Sequence, residues 1–218
     1  MNSYDLKNMV ANAKNPVAFT GHTISEISGF PNLQEKFFNY KLNNILTADF
    51  FYTNPKVFYK AFMKLLNSTE ICPNYIHNIL STLNFTIITE NFDSLHQKAG
   101  STNVIELNNN LNYLSCTNCN YVVRSKLALS NITTDEQLLS SITCPSCKSI
   151  LKPNLVLLGE KINKFHLALN EIYKSDLLLI IGSDLRTWPS NIIPVKSEYV
   201  QCPTVILKDD FSILNYIR

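Results

Sequence analysis

Continuous runs of apolar residues recur along the chain and predict the strands of a sheet. Residues 154–158 and 176–181 contain no polar side chain after their first position. A strand has this composition when helices cover both faces of a parallel sheet. Shorter runs rich in β-branched residues predict further strands at residues 17–20, 85–89, 104–107 and 204–207.

Apolar residues recur at helical spacing between several of these strands. This pattern predicts that residues 33–83 are mostly helical, with Pro55 and Pro73 near helix starts. Aromatic side chains in this stretch, such as Phe38 and Tyr40, are expected to pack within a layer of helices. A further helix is predicted over residues 164–174. Because strands and helices alternate, we predict the α/β class and a doubly wound, Rossmann-like parallel sheet.

The alternation stops between residues 113 and 152, a polar segment that contains two cysteine pairs. We therefore predict a discontinuous Rossmann-like domain made of residues 1–34, 80–112 and 153–218. A helical insertion is predicted over residues 35–79. A small metal-binding module is predicted over residues 113–152.

The composition restricts the classes of partner. Lys and Arg total 19 against 17 Asp and Glu, so the net charge of +2 does not indicate a nucleic-acid partner. The longest apolar stretch, residues 177–181, is far too short to cross a bilayer, and the first residues are not an apolar leader. We therefore expect a soluble, cytoplasmic protein without a membrane partner.

Four of the six cysteines form two C-x-x-C pairs, Cys116 with Cys119 and Cys144 with Cys147. Thiolates about 2.3 Å from a tetrahedral ion, supplied by two such pairs, make a closed four-sulfur zinc site. The alternative, four reduced cysteines in a core, does not explain two matched pairs in a polar segment. Because a closed site has no open coordination position, the predicted role of zinc is structural.

Several motifs, in the same order, resemble those of the sirtuins, NAD-dependent protein deacylases and ADP-ribosyl transferases. Residues 20–34 resemble the family's TGAGIS-x-x-SGIPDFR loop, and residues 89–100 resemble TQNID-x-LH-x-x-AG. Residues 153–160 resemble the substrate-binding segment P-x-V-x-FGE, and residues 176–189 resemble DLLLVIGTSL-x-V-x-P. The resemblance implies a Rossmann-like fold with a zinc module, an NAD site, and a protein or peptide partner.

The resemblance also assigns site positions. The cofactor positions are Gly21, His22, Gln34, Asn91, Asp93, Gly182 and Ser183. The substrate positions are Val156, Leu158 and Gly159. Asn91 and Asp93 correspond to residues that position nicotinamide and its ribose, and the alternative is that both only brace the turn after the strand.

Some cofactor positions depart from the family pattern. The Gly-Ala-Gly turn of the diphosphate site reads Gly21-His22-Thr23, and the acidic residues Glu90 and Asp184 replace a Gln and a Ser. A like-charge contact at about 4 Å costs roughly 1 to 4 kcal/mol, depending on solvent access. The sequence therefore predicts that NAD binds weakly or not at all, and that zinc is the principal cofactor.

The family's catalytic histidine is also replaced. Where the family has ELHG, the chain has Glu106-Leu107-Asn108-Asn109, and an amide cannot accept a proton at neutral pH. Loss of a positioned base typically lowers a rate by about 10² to 10⁴. We therefore interpret the chain as a sirtuin-like pseudoenzyme that acts by binding or regulation, with Asn108 inactive.

Two alternatives stay open at this point. The first is an active NAD-dependent transferase that performs ADP-ribosyl transfer or residual protein-lysine deacylation, because breaking the nicotinamide bond does not itself require the histidine. The second is an unrelated chemistry that uses His22, Glu90, Asp93 and Asp184.

Overall fold

The structure, a computed structural model, describes residues 3–186 and 188–217, so that Thr187 of the last motif lies outside the described residues. The chain divides into two compact units. The sheet unit consists of Met1–Gly29, Ile71–Leu107 and Ile162–Arg218, and the cysteine unit of Phe30–Glu70 and Asn108–Lys161. The predicted division into three parts stays a prediction. Within the described ranges, no helix has the length and apolar character to span a membrane.

Strands and helices follow one another along both units. The strands are β1 Pro16–Thr20, β2 Lys36–Phe37, β3 Tyr40–Lys41, β4 Thr86–Thr89, β5 Val104–Glu106, β6 Tyr113–Cys116, β7 Val122–Arg124, β8 Leu151–Pro153, β9 Leu177–Ile181 and β10 Thr204–Leu207. The α-helices are α1 Ser3–Asn12, α2 Thr23–Ile27, α3 Leu42–Ile45, α4 Ala48–Thr53, α5 Pro55–Ser68, α6 Tyr75–Thr82, α7 Leu95–Lys98, α8 Ser125–Ala128, α9 Asp135–Ser141, α10 Phe165–Lys174 and α11 Ile193–Tyr199. Short 3₁₀ helices cover Ser190–Ile192 and Ser212–Tyr216.

The sheet unit contains a parallel sheet whose strands, among the described residues, lie in the order β10-β9-β1-β4-β5. Strand β1 is central, because Val17 pairs with Leu178 of β9 on one side and with Thr86 of β4 on the other. Helices connect the strands. This topology confirms the predicted doubly wound α/β fold.

Both faces of the sheet are covered, as the apolar run in β9 predicts. Successive side chains of a strand point to opposite faces. Leu177, Leu179 and Ile181 pack with residues of α1 and α6, whereas Leu178 and Ile180 pack with residues of α10 and α11. All residues of β9 are therefore buried.

The cysteine unit packs helices with an antiparallel sheet whose strands, in the described part of the chain, have the order β7-β6-β8. Its core contains a cluster of aromatic rings from α4 and α5 whose centroids lie 5.0 to 6.3 Å apart: Phe51, Phe58, Tyr59 and Phe62. The Tyr59 hydroxyl donates a hydrogen bond to the carbonyl of Leu151, which connects α5 to β8.

The predicted strand at residues 154–158 is wrong. This segment follows β8 in the cysteine unit and is irregular, with the Val156 N–H donating to the Asn108 carbonyl at 2.9 Å. Leu155 and Leu157 are buried, whereas Leu158 is 72% exposed. The apolar run therefore reflects the burial of alternate residues in a loop, which periodicity alone does not distinguish from a strand.

The predicted helical stretch also begins later than expected. Residues 36–41 form a β2–β3 hairpin, with Phe38 in the left-handed region at a φ of 50°. Phe38 is 61% exposed and Tyr40 is 44% exposed, so the prediction that both pack a helical layer is wrong. A few aromatic residues close together carry too little periodicity to distinguish a hairpin from a helix.

Candidate functional site

The carboxyl ends of the parallel strands lie at one edge of the sheet, which we call the strand-end edge. From β1 the chain continues outward to β4 and β5, and then returns to the other side of β1 as β9 and β10. The ends of β1 and β9 are therefore the switch point of a doubly wound sheet, where ligands of such folds bind. Gly21 follows β1 and Gly182 follows β9.

The two glycines are in close backbone contact. A Cβ atom on Gly21 would lie 2.4 Å from the carbonyl oxygen of Gly182. The Gly21 N–H donates to the carbonyl of Ile181 at 2.9 Å, and Gly182 has a φ of +66°, which favours glycine. The two glycines thus let the ends of β1 and β9 lie in direct backbone contact at the switch point, the place where doubly wound sheets bind dinucleotides.

Asn91 and Asp93 lie in the loop after β4 and are buried. The Asn91 amide nitrogen donates to the Gly21 carbonyl at 3.0 Å, so this side chain braces the turn after β1. One Asp93 oxygen accepts the N–H of Leu95 at 2.9 Å, and the other, Oδ2, has no hydrogen-bond partner among the described residues. Burial raises the pKa of the Asp93 carboxyl. Its second oxygen is enclosed, so a donor on a ligand reaches it only with a change in packing.

Two buried histidines brace this loop. The Nε2 atom of His96 lies 2.9 Å from the Thr20 hydroxyl, and the Nδ1 atom of His77 accepts the N–H of Asn74 in a capping box that begins α6. Their ring centroids are 4.8 Å apart. Burial lowers the pKa of His77 to about 4, and burial together with the neighbouring His77 lowers that of His96. Both rings are therefore neutral at neutral pH.

The lowered pKa of His77 predicts that the sheet unit becomes less stable as the pH falls. A histidine in the unfolded chain takes up a proton near pH 6.5, whereas folded His77 does so only near pH 4. The free energy of unfolding should therefore fall by about 1 to 3 kcal/mol as pH decreases from about 6.5 to about 4. His77→Gln keeps a capping side chain and removes the ring, so urea denaturation across this range should give a flatter curve. His166→Gln, an exposed control on α10, should keep the wild-type slope, and an equally steep His77→Gln curve would contradict this origin.

The acidic substitutions at the strand-end edge have partners within the sheet unit. The Ser183 hydroxyl donates to Glu90 at 3.0 Å, and Ser190 also bonds to this carboxyl. Burial raises the pKa of Glu90 to about 7, although both hydroxyls favour the ionised form. Asp184 accepts the N–H of Arg186 at 3.1 Å. A carboxyl whose pKa is raised toward neutral pH is partly protonated there, so it repels a diphosphate less than a fully ionised carboxylate does.

His22 contacts the helix that follows β1. Its Nε2 atom lies 3.4 Å from a carboxylate oxygen of Glu26, one turn further along α2. The N–H of Thr23 donates to the Gly182 carbonyl at 3.3 Å, so the backbone of this turn holds the ends of β1 and β9 together. The role of His22 at a cofactor site stays a prediction.

The other predicted site residues belong to the cysteine unit. Asn108 and Val156 are brought together by the hydrogen bond between their backbones. Gln34 is exposed, and its side-chain oxygen accepts a hydrogen bond from a lysine of β3 at 3.1 Å. Leu158 is exposed, and Gly159 follows it with a φ of +96°. Their roles at a substrate site stay predictions.

Sequence reasoning missed an ion pair that orders residues 153–160. The Lys152 ammonium lies 3.0 Å from Glu160 and donates to the carbonyls of Pro153 and Leu155 at 3.1 and 2.8 Å. The same Glu160 oxygen accepts the N–H of Leu157 at 2.8 Å. The sequence does contain a signal for this ion pair. A lysine stands directly before the P-x-V-x-FGE motif, and a glutamate ends it. The pair thus bonds to backbone groups at three positions of the predicted substrate segment.

The cysteine pairs converge at the end of β6. Their four sulfur atoms all lie within 4.8 Å of one another, with 3.4 Å between Cys116 and Cys147 and 3.6 Å between Cys119 and Cys144. Four thiolates at about 2.3 Å from a tetrahedral ion would be about 3.8 Å apart. The predicted four-cysteine cluster is confirmed, and its donor set and spacing suit zinc.

Comparison with known proteins assigns the chain to a family. Residues 26–189 match the model of the Sir2 family. The chain belongs to the Sir2 family, the sirtuins. It is 34% identical over 200 residues to the NAD-dependent protein deacetylase of Caldivirga maquilingensis, covering 86% of this chain and 75% of that protein. It is 32% identical over 203 residues to the NAD-dependent protein deacylase of Pyrococcus abyssi, covering 87% and 80%.

Solved sirtuin structures show the same fold. A Sir2 in complex with a p53 peptide and NAD+ has a TM-score of 0.83 and 25% identity, covering 100% of this chain and 96% of that one. Sir2Tm bound to a propionylated peptide has a TM-score of 0.85 with the same identity and coverage. The resemblance to sirtuins is thus confirmed. The named activities of the relatives do not support the interpretation as a pseudoenzyme with doubtful NAD binding, and they favour the alternative of an active transferase.

Proposed function

We propose that this sirtuin is an active NAD-dependent transferase that removes acyl groups from lysine side chains of a protein. The observation that carries the proposal is the backbone contact between Gly21 and Gly182, where a Cβ atom would lie 2.4 Å from a carbonyl oxygen. This contact places the ends of β1 and β9 side by side at the switch point of a doubly wound sheet, where such sheets bind dinucleotides. NAD supplies the ADP-ribosyl group that accepts the acyl group.

The polar residues of the sheet unit support the same ligand. Asn91 and Asp93 would hold the nicotinamide ribose, with a change in packing that lets a ribose hydroxyl or the carboxamide donate to the second Asp93 oxygen. Ser183 and Glu90 lie at the same edge of the sheet. In the cysteine unit, the ordered segment with the exposed Leu158 would contact the peptide, as its likeness to the family's substrate segment implies.

One substitution favours a second activity. Asn108 stands where the family has its catalytic histidine, and an amide does not accept a proton at neutral pH. Cleavage of the nicotinamide bond does not require that base. ADP-ribosyl transfer to a nucleophile on a protein is therefore the second candidate function.

Purified, reduced, zinc-loaded protein should bind NAD with a dissociation constant between about 1 μM and 1 mM, the range usual for enzyme substrates. Isothermal titration calorimetry measures this constant. Incubation with NAD and an acetyl-lysine peptide should release nicotinamide, and the peptide mass identifies the reaction. A peptide that loses its acetyl group indicates deacylation, and one that gains ADP-ribose indicates ADP-ribosyl transfer. No binding at millimolar NAD and no nicotinamide release would favour the pseudoenzyme interpretation instead.

A further inference from the structure

Carboxyl groups of differing accessibility lie at the strand-end edge of the sheet unit. Asp93 and Glu106 are buried, with 3% and 6% of their surfaces exposed. Glu90, which follows β4 directly, keeps partial exposure to solvent. Of these three groups, Glu90 is the one that a ligand at this edge can reach without a change in packing.

Backbone and side-chain contacts fix Glu90 at the switch point. Its N–H donates to the carbonyl of Thr20, the last residue of β1, at 3.0 Å. Its carboxylate accepts the hydroxyl of Ser183, which follows Gly182, at 3.0 Å. The side chain thus extends from the end of β4 to the end of β9, past the turn that begins at Gly21.

The surroundings of Glu90 suit proton transfer at neutral pH. A general base works best when its pKa is close to the operating pH, and burial raises that of Glu90 to about 7. The hydroxyls of Ser183 and Ser190 favour the ionised form, and Asp184 is the charged group whose field opposes it. Glu90 can therefore both take up and return a proton, which Asn108 cannot do.

We propose that Glu90 is the general base of this sirtuin and replaces the histidine that the chain lacks. This inference rests on the proposed function, because the proton comes from a ribose hydroxyl of the co-substrate. Nicotinamide leaves with the electron pair of its bond to the ribose, and the acyl oxygen bonds to that ribose carbon in its place. Glu90 then takes the hydroxyl proton, and the electron pair of the O–H bond forms the new bond to the acyl carbon. Glu90 returns the proton to the lysine nitrogen, which leaves with the electron pair of its bond to the acyl carbon, and water supplies the oxygen that completes the ester.

Glu90→Gln keeps the size of the side chain and removes the base. Acyl transfer from an acetyl-lysine peptide should fall by about 10² to 10⁴, the usual effect of losing a base, whereas nicotinamide release and NAD affinity should persist. Wild-type acyl transfer should rise with pH through about 7, as the carboxyl ionises, and the variant should lack this limb. Glu171→Gln, the same substitution on α10, is the matched control and should retain the wild-type rate and profile.

A readout that needs no turnover tests the same carboxyl. A ¹³C NMR titration of the glutamate carboxyls should contain one signal with a midpoint near pH 7, and this signal should be missing from Glu90→Gln. Ser183→Ala removes a donor that favours the ionised form, so the midpoint should increase in both the titration and the pH profile. If Glu90→Gln does not fold, Ser183→Ala carries the test.

The outcomes separate the two proposals. Nicotinamide release by the wild type together with unchanged acyl transfer and pH profile in Glu90→Gln would overturn the role of Glu90 and leave the proposed function intact. A Glu90 midpoint near its ordinary value of 4.5 would overturn it equally. No nicotinamide release by the wild type would refute the proposed function, and with it the inference.

Discussion

Gly21→Ala should abolish NAD binding and destabilise the sheet unit. The new Cβ atom would lie 2.4 Å from the Gly182 oxygen and 2.5 Å from the Ser183 Cα atom, and both are backbone atoms that cannot rotate away. Strands β1 and β9 pair along their whole lengths, so moving their ends apart disturbs the centre of the sheet. Overpacking of this kind costs about 1 to 3 kcal/mol of folding free energy. Misplacing the ligand by about 1 Å costs about 10² in rate.

Urea denaturation and NAD calorimetry on the same variant check both parts of this prediction. Gly100→Ala is the control, because its φ of +92° also strains an alanine, whereas its Cβ atom would meet only the Ser81 hydroxyl at 3.3 Å. This control should lose about 1 to 2 kcal/mol of stability and keep its NAD affinity. Wild-type affinity in Gly21→Ala would mean that the ends of β1 and β9 separate at little cost.

The fold could be predicted because its signals are local. Residues 177–181 have apolar side chains in every position, a pattern typical of a strand covered on both faces, and the packing of Leu178 and Leu179 in opposite cores confirms it. The cysteine cluster was equally local in sequence, since each C-x-x-C pair already defines half of a metal site. Where the local pattern was ambiguous, at residues 154–158, the prediction failed.

The chemistry of the candidate site could not be predicted in the same way. The effect of Glu90 depends on Ser183 and Ser190, which follow it by about a hundred residues and reach it only through the pairing of β1 with β9. The sequence showed a negative charge beside a diphosphate site. The fold buries the Glu90 carboxyl and gives it two hydroxyl donors, and these surroundings determine its pKa. A residue whose charge counted against NAD binding in the sequence therefore becomes a candidate base in the structure.

Removal of zinc should unfold much of the cysteine unit. Strands β6 to β8 are only three or four residues long, and the cluster that joins them includes the buried Cys144. In small metal sites the free energy of metal binding is largely folding free energy. Cys144→Ser should therefore lower zinc content from about one ion per chain to well under one, with zinc affinity reduced at least about 100-fold.

Elemental analysis and hydrogen exchange test this prediction together. Amides of β6 and β8 should lose protection in Cys144→Ser, whereas those of β1 and β9 should keep it, because the sheet unit has its own cores on both faces. Cys72→Ser is the matched control, since Cys72 is exposed and lies outside the four-cysteine cluster. Full protection of β6 after chelation would show that the aromatic cluster around Tyr59 is enough to fold the unit, and that zinc contributes little to its stability.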